Sequence, residues 1–164
     1  MVRAGILDEH ARVELVDGVL VEMTPIGPQH GGALEWLINH FAKASDGTFR
    51  VRVQDAFLTP DGGFFEPDLF LIEPIPGRDR LPNQALLVVE VAYSSRAHDE
   101  WKAATYAAAG VPEYWIVDID RNELLVHRQP GAGAYASVAR FAAGDVVAPL
   151  VDAPPVDVAA LLGR

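Results

Sequence analysis

The sequence predicts one mixed α/β domain, a central mixed sheet with helices packed against it. The run at 85–92, ALLVVEVA, is almost continuously apolar, as a strand buried on both faces should be. At 30–44, Leu34, Leu37, Ile38 and Phe41 recur at i, i+3, i+4 and i+7, with Glu35, Asn39 and Lys43 on the opposite face. The order of segments, hairpin, helix, strands, helix, strands, then implies a sheet that carries helices.

Each element has its own signal. VELVDGVLVEM at 13–23 places two short apolar runs around Asp17-Gly18, a two-residue hairpin signal. TPIGPQHGG is a loop, and the first helix follows from His30 to Ala44. Residues 49–58 and 65–72 read as strands joined by the turn Thr59-Pro60-Asp61-Gly62-Gly63. A polar loop at 73–83 leads to the buried strand. Residues 96–109 are Ala-rich and helical, and Gly110 with Val111-Pro112 stops that helix. Residues 113–119 and 123–128 are further strands, 135–141 is a weaker one, and the chain ends in a short apolar tail.

With 164 residues and half of them hydrophobic, the chain fits one domain, 1–164, with ample core. No apolar run is long enough to span a membrane. The start, MVRAGILDEHARVE, is charged where a signal peptide needs an apolar stretch. With no cysteine, disulfides and thiolate metal sites are excluded, and a cytoplasmic protein is the simplest expectation. The net charge of −10 argues against broad affinity for DNA, which needs Lys and Arg on phosphate.

The chemistry-bearing residues lie around the buried strand. Leu86, Val88 and Glu90 share one face of it, and Leu87, Val89 and Val91 the other. A Glu in that strand is unfavourable unless paired or bound to a cation, or unless it sits at a solvent-exposed strand end. Asp68 follows Pro67 and shares a face with Phe70 and Ile72; by itself it also reads as a turn or edge Asp. On the next helix Asp99, Lys102 and Tyr106 share a face, and the first turns of that helix can return a side chain to the end of the Glu90 strand. Two carboxylates suit a hard cation such as Mg²⁺. A lysine suits charge developing on phosphate, or the orientation of a water.

The stretches ELVDGVLVEMTP, GPQH, EPDLFLI, LLVVEVAYSS and K-x3-YAAAGVPEYWIVD occur in that order. Together they resemble the Uma-type restriction endonuclease family, formerly a domain of unknown function, within the PD-(D/E)XK nuclease superfamily. The resemblance covers about residues 13–130. It implies a restriction-endonuclease-like core with Asp68 as first metal carboxylate and Glu90 as second. In the wider superfamily the lysine sits two residues after that glutamate; here that position is Ala92. The matching residue is instead Lys102 on the following helix. Glu14 matches the acidic residue of the opening E-L-x-D-G pattern, as an approach to the metal or an exposed hairpin Glu. Gln54 is a further polar lining candidate. SSRAHDEWK is one residue shorter than the family spacing, which unsettles Asp99 rather than Lys102.

Other candidates point elsewhere. None of the five histidines forms HExxH or another metal spacing; His30 opens the first helix, as a cap or facing the site, and reads as structural. Trp36, Trp101 and Trp115 read as packing residues. Ser94-Ser95 lacks a nucleophile elbow, and Gly62-Gly63 is a turn, not a phosphate loop.

The expected function is therefore a Mg²⁺- or Mn²⁺-dependent endonuclease acting on DNA, with Asp68 and Glu90 on metal, Lys102 on water or phosphate, and Glu14 assisting. Substrate-facing charge would come from Arg50, Arg52, Arg78, Arg80, Arg96 and Lys102 converging on one face. By analogy with other nucleases of this fold, a homodimer is expected. The alternative is a binding module that keeps the nuclease fold with weak or lost catalysis, which the acidic surface favours.

Overall fold

The computed structural model describes residues 13–16, 19–22, 27–60, 62–74, 81–92 and 96–164, and for 13–16, 19–22 and 96–98 the backbone path alone. β1 (Val13–Val16) and β2 (Val19–Glu22) pair antiparallel with Val16 opposite Val19, the register a two-residue connection requires. The expected Asp17-Gly18 turn itself, the loop start at 24–26, the loop at 75–80 and Ser94-Ser95 lie outside the described residues.

The first helix, α1 (Pro28–Ala44), begins earlier than expected, not at His30. Gly27 is its N-cap and Pro28 occupies the first turn, where a missing N–H removes no helical bond. Its buried residues, Ala33, Leu34, Leu37 and Phe41, include most of the apolar stripe read from the sequence.

The strands expected at 49–58 and 65–72 are each broken in two. They form β3 (Arg50–Val53) and β4 (Phe57–Leu58), then β5 (Phe64–Phe65) and β6 (Leu69–Ile72). The break has a local cause on both strands. Gln54 takes a left-handed backbone, φ 45, and its N–H reaches the carbonyls of Pro67 and Asp68. Pro67, with no N–H, cannot continue a ladder opposite it. The long hairpin is thereby creased: β3 and β6 pair within one sheet, β4 and β5 within another.

Beyond the crease follow β7 (Leu87–Ala92), α2 (Arg96–Ala108), β8 (Glu113–Asp118), β9 (Glu123–Pro130) and β10 (Tyr135–Ala142). α2 stops as expected: Gly110 has φ 74 and the N–H of Val111 returns to the Tyr106 carbonyl. The chain end is more ordered than an apolar tail. β11 (Val146–Val147) pairs with β12 (Val156–Asp157), and Asp157 caps the short helix α3 (Val158–Leu161) by accepting from the N–H groups of Ala159 and Ala160.

The central sheet has the order β10-β9-β8-β7-β6-β3, and the smaller one β2-β1-β5-β4. β7 and β8 are parallel, joined by α2, while the other neighbours of the central sheet are antiparallel, which makes it mixed. Side-chain alternation divides the core into two layers. Leu69, Leu71, Leu87, Val89, Val91, Trp115 and Val117 pack against Leu34, Leu37 and Phe41 of α1. Phe70, Ile72, Val88, Ala92, Tyr114 and Ile116 pack against Tyr106 and Ala107 of α2. Glu90 lies between Val88 and Ala92 and so belongs to the α2 face. Among the described residues no helix is long and apolar enough to cross a membrane.

Candidate active site

The register of β6 and β7 explains why Asp68 and Glu90 meet. Leu69 pairs with Val89, and one further antiparallel step brings Asp68 opposite Glu90. Both side chains are buried. Asp68 Oδ2 accepts from the Val91 N–H at 2.9 Å, and Glu90 Oε2 lies 3.4 Å from the Asp68 backbone nitrogen. The crease at Gln54 matters here, because its N–H holds the Pro67 and Asp68 carbonyls and fixes where the Asp68 side chain starts. Gln54 enters the site through its backbone; the residue itself is exposed.

α2 supplies the cation. Lys102 is buried and its Nζ donates to Glu90 Oε1 at 3.1 Å. Its other neighbours are Asp99 Oδ1 at 3.9 Å and the ring of Phe65 at 5.6 Å. Asp99 is buried as well, so the shortened spacing has not moved it away: positions three apart on a helix are neighbours. Its backbone carbonyl accepts from the Tyr114 hydroxyl at 2.9 Å. Burial pushes that hydroxyl well above the usual tyrosine range, and the charges of Glu90, Asp99 and Asp68 push it the same way. The raised value reflects burial first, and the neighbouring charges add to it.

Two further residues join the site: His30, for which the sequence leaves a site-facing place beside a structural one, and Tyr106. His30 Nε2, from the first turn of α1, donates to Asp68 Oδ1 at 3.1 Å. The Tyr106 hydroxyl donates to Glu90 Oε1 at 3.0 Å. The signal for Tyr106 was its shared helical face with Lys102; nothing in the sequence said that its hydroxyl, rather than its ring, faced Glu90. Trp101 corrects an expectation. It is 41% exposed and lies outside the core, while Trp115 is fully buried and Trp36 stacks on His40.

The Uma2 family model, described as "putative restriction endonuclease", matches residues 5–157. The chain belongs to the Uma2 family. A solved structure from Anabaena variabilis ATCC 29413, described as a putative nuclease belonging to DUF820, superposes with a TM-score of 0.79. That likeness covers 98% of this chain and 95% of the other at 12% identity, so what the two share is the fold. No curated protein matches the chain.

Among the described residues of this Uma2 chain, no three His, Asp or Glu side chains are arranged as a ready metal cage. The donor set nevertheless fits a hard cation. Mg²⁺ keeps most of its waters and binds through one or two carboxylates together with substrate phosphate. Among the described residues three buried carboxylates gather here, Glu90 and Asp99 beside Lys102 and Asp68 beside His30. Carboxylates in a dry site are stabilised by a divalent cation. Glu14 is on β1, which pairs through Leu15 with Phe64 of β5; its side chain lies outside the described residues.

The expected basic face of the Uma2 chain is not assembled by the side chains described. Lys102 is committed to Glu90, and Arg52 pairs with Asp55 at 2.6 Å. Arg50 is exposed on the edge strand β3, and the side chains of Arg78, Arg80 and Arg96 lie outside the described residues.

Proposed function

We propose that this chain is a Mg²⁺- or Mn²⁺-dependent endonuclease of the PD-(D/E)XK type that hydrolyses phosphodiester bonds in DNA. The observation that carries the reading is the buried constellation itself: Asp68 across from Glu90, with Lys102 Nζ 3.1 Å from the Glu90 carboxylate. Family membership supports nuclease chemistry at the general level.

In this reading Asp68 and Glu90 hold the cation. Bound there, it polarises the phosphate and makes a water more acidic. Lys102 places a buried positive charge beside the scissile phosphate and orients the attacking water. The water oxygen would join phosphorus as it gives up a proton to solvent, the bridging P–O bond would break, and the departing oxygen would take up a proton from solvent. His30 keeps the Asp68 carboxylate from rotating, and Glu14 contributes a further acidic group from the small sheet. Two copies acting as a homodimer would bring two such sites to the two strands of a duplex.

The test is cleavage of supercoiled, linear and single-stranded DNA with Mg²⁺ or Mn²⁺. Wild type should cut, and Asp68→Ala and Lys102→Ala should each lower the rate at least about 10²-fold. Undiminished cutting by both variants would falsify the site. Binding without cutting by wild type would favour a nuclease-fold binding module instead.

A further inference from the structure

We propose that Tyr106 is a positioning residue that divides the labour of the Glu90 carboxylate, committing Oε1 to Lys102 and turning Oε2 toward the divalent cation. This rests on the metal-dependent reading above and adds a residue to it.

The last torsion of a glutamate is soft, with a broad and nearly two-fold profile. Burial alone therefore does not decide which oxygen of Glu90 faces Asp68. Two donors from α2 fix Oε1, and the Asp68 N–H lies at Oε2. Lys102 Nζ and the Tyr106 hydroxyl both donate to Oε1, at 3.1 and 3.0 Å. They lie one helical turn apart, so they reach that oxygen from one helix face. Oε2 is left on the Asp68 side, 3.4 Å from the Asp68 nitrogen.

The lysine is a flexible donor, but the tyrosine is not. Its ring is fully buried between Phe57, Phe65 and Tyr114, with centroids 6.0, 5.3 and 4.9 Å away. Tyr has one polar atom and packs through the rest of its ring. Held on several sides, the hydroxyl has a fixed position. It can hold the carboxylate plane while Lys102 moves to meet a phosphate. Partners of metal carboxylates act in this way, and removing one commonly weakens metal binding about 10–100-fold.

Tyr106→Phe keeps the ring and deletes the hydroxyl. Mn²⁺ alone, without DNA, is titrated calorimetrically into wild type and Tyr106→Phe, well below the melting temperature of either. The expected result is a loss of Mn²⁺ affinity of about 10–100-fold in the variant. A merely structural tyrosine would lower the melting temperature and leave the affinity of the folded protein alone. Equal affinity in the two proteins overturns the positioning role and leaves the metal site standing. No Mn²⁺ uptake by wild type overturns the metal-dependent reading, and this inference with it. If Tyr106→Phe does not fold, the unaltered chain supplies the second measurement. With ¹³Cζ-labelled tyrosine, the Tyr106 signal should move as Mg²⁺ is added, and should stay still in Asp68→Asn. A Tyr106 signal unmoved by saturating Mg²⁺ in wild type overturns the proposal.

Discussion

Lys102 is held by the company it keeps. A buried ammonium is unfavourable without compensation, and Glu90 supplies that with a direct bond, backed by Asp99 and the face of Phe65. Removing the lysine alone leaves Glu90 buried beside Asp68 and Asp99 with less positive charge. Lys102→Met should therefore destabilise the protein by about 3–5 kcal/mol, as breaking a buried pair from one side usually does. Adding Glu90→Gln should recover much of that stability without recovering cleavage. Urea denaturation of the single and double variants checks the first part, and a DNA nicking assay the second. Much of this site was legible at the level of single residues. Strand alternation gave Asp68 and Glu90 each a face on its own strand, and helical spacing grouped Asp99, Lys102 and Tyr106. Periodicity reports which way a side chain points, not which of its atoms makes the contact. That is why the Tyr106 hydroxyl was not seen as a site group, why His30 read as structural rather than site-facing, and why a one-residue change in spacing made Asp99 look doubtful.

Among the elements, the creased hairpin has the greatest local consequence. A left-handed backbone at Gln54 lets a strand leave the central sheet just where Asp68 must stop following β6. The sequence read straight across both breaks because the apolar content of 49–58 and 65–72 is continuous. Pro67 was the visible clue on one strand, and Gln54, a residue with no preference for positive φ, offered none on the other. Gln54→Val should lower stability by about 1–2 kcal/mol, since a β-branched side chain fits poorly in that conformation. It should also weaken Mn²⁺ binding by disturbing the Asp68 carbonyl contact, whereas Gln54→Gly should retain both. Thermal melts and metal titrations of the pair distinguish these outcomes. An unchanged Gln54→Val would show that the crease does not depend on this residue. The ends of the elements were otherwise well marked, by Pro28 at the start of α1 and Gly110 after α2.

Over the whole molecule, charge shapes both stability and substrate affinity. Tyr114 and Tyr135 are both raised above the usual tyrosine range, each chiefly by burial. Below about pH 10 both are protonated in the folded and the unfolded chain, and they leave stability independent of pH. Above it the unfolded chain releases these protons while the folded chain retains them, so stability must fall as pH rises. Tyr114→Phe should flatten that decline, and circular-dichroism melts between about pH 8 and 11 would reveal it. The net charge of −10 sets the second expectation. With few cations available for phosphate, DNA affinity should depend weakly on salt, with a log–log slope shallower than about −3. Fluorescence anisotropy over a salt series measures it, and a steep slope would point to a basic surface contributed by a second copy or by the segments not described. The far end of the sheet offers a contrast. Glu113 is also fully buried, yet Arg128 donates to it through two nitrogens and the Leu150 N–H completes the set. That carboxylate serves to anchor the C-terminal segment, whereas those around Lys102 gather where the site lies.

On the proposed PD-(D/E)XK reading, Ala92 occupies the strand position of the usual lysine, and Lys102 arrives from α2 instead. A lysine on the same strand as the glutamate is in place as soon as that strand forms. Here the trio exists only while a helix rests on the sheet. In the proposed nuclease, competence to cut would be conditional on tertiary docking: a half-folded chain carries Asp68 and Glu90 but no third partner. On that reading a mutation in the Phe57–Phe65–Tyr106 cluster that loosens α2 should lower cleavage at temperatures below the melting transition. For a protein whose proposed substrate is also the cell's own genome, that dependence works as a built-in safety catch.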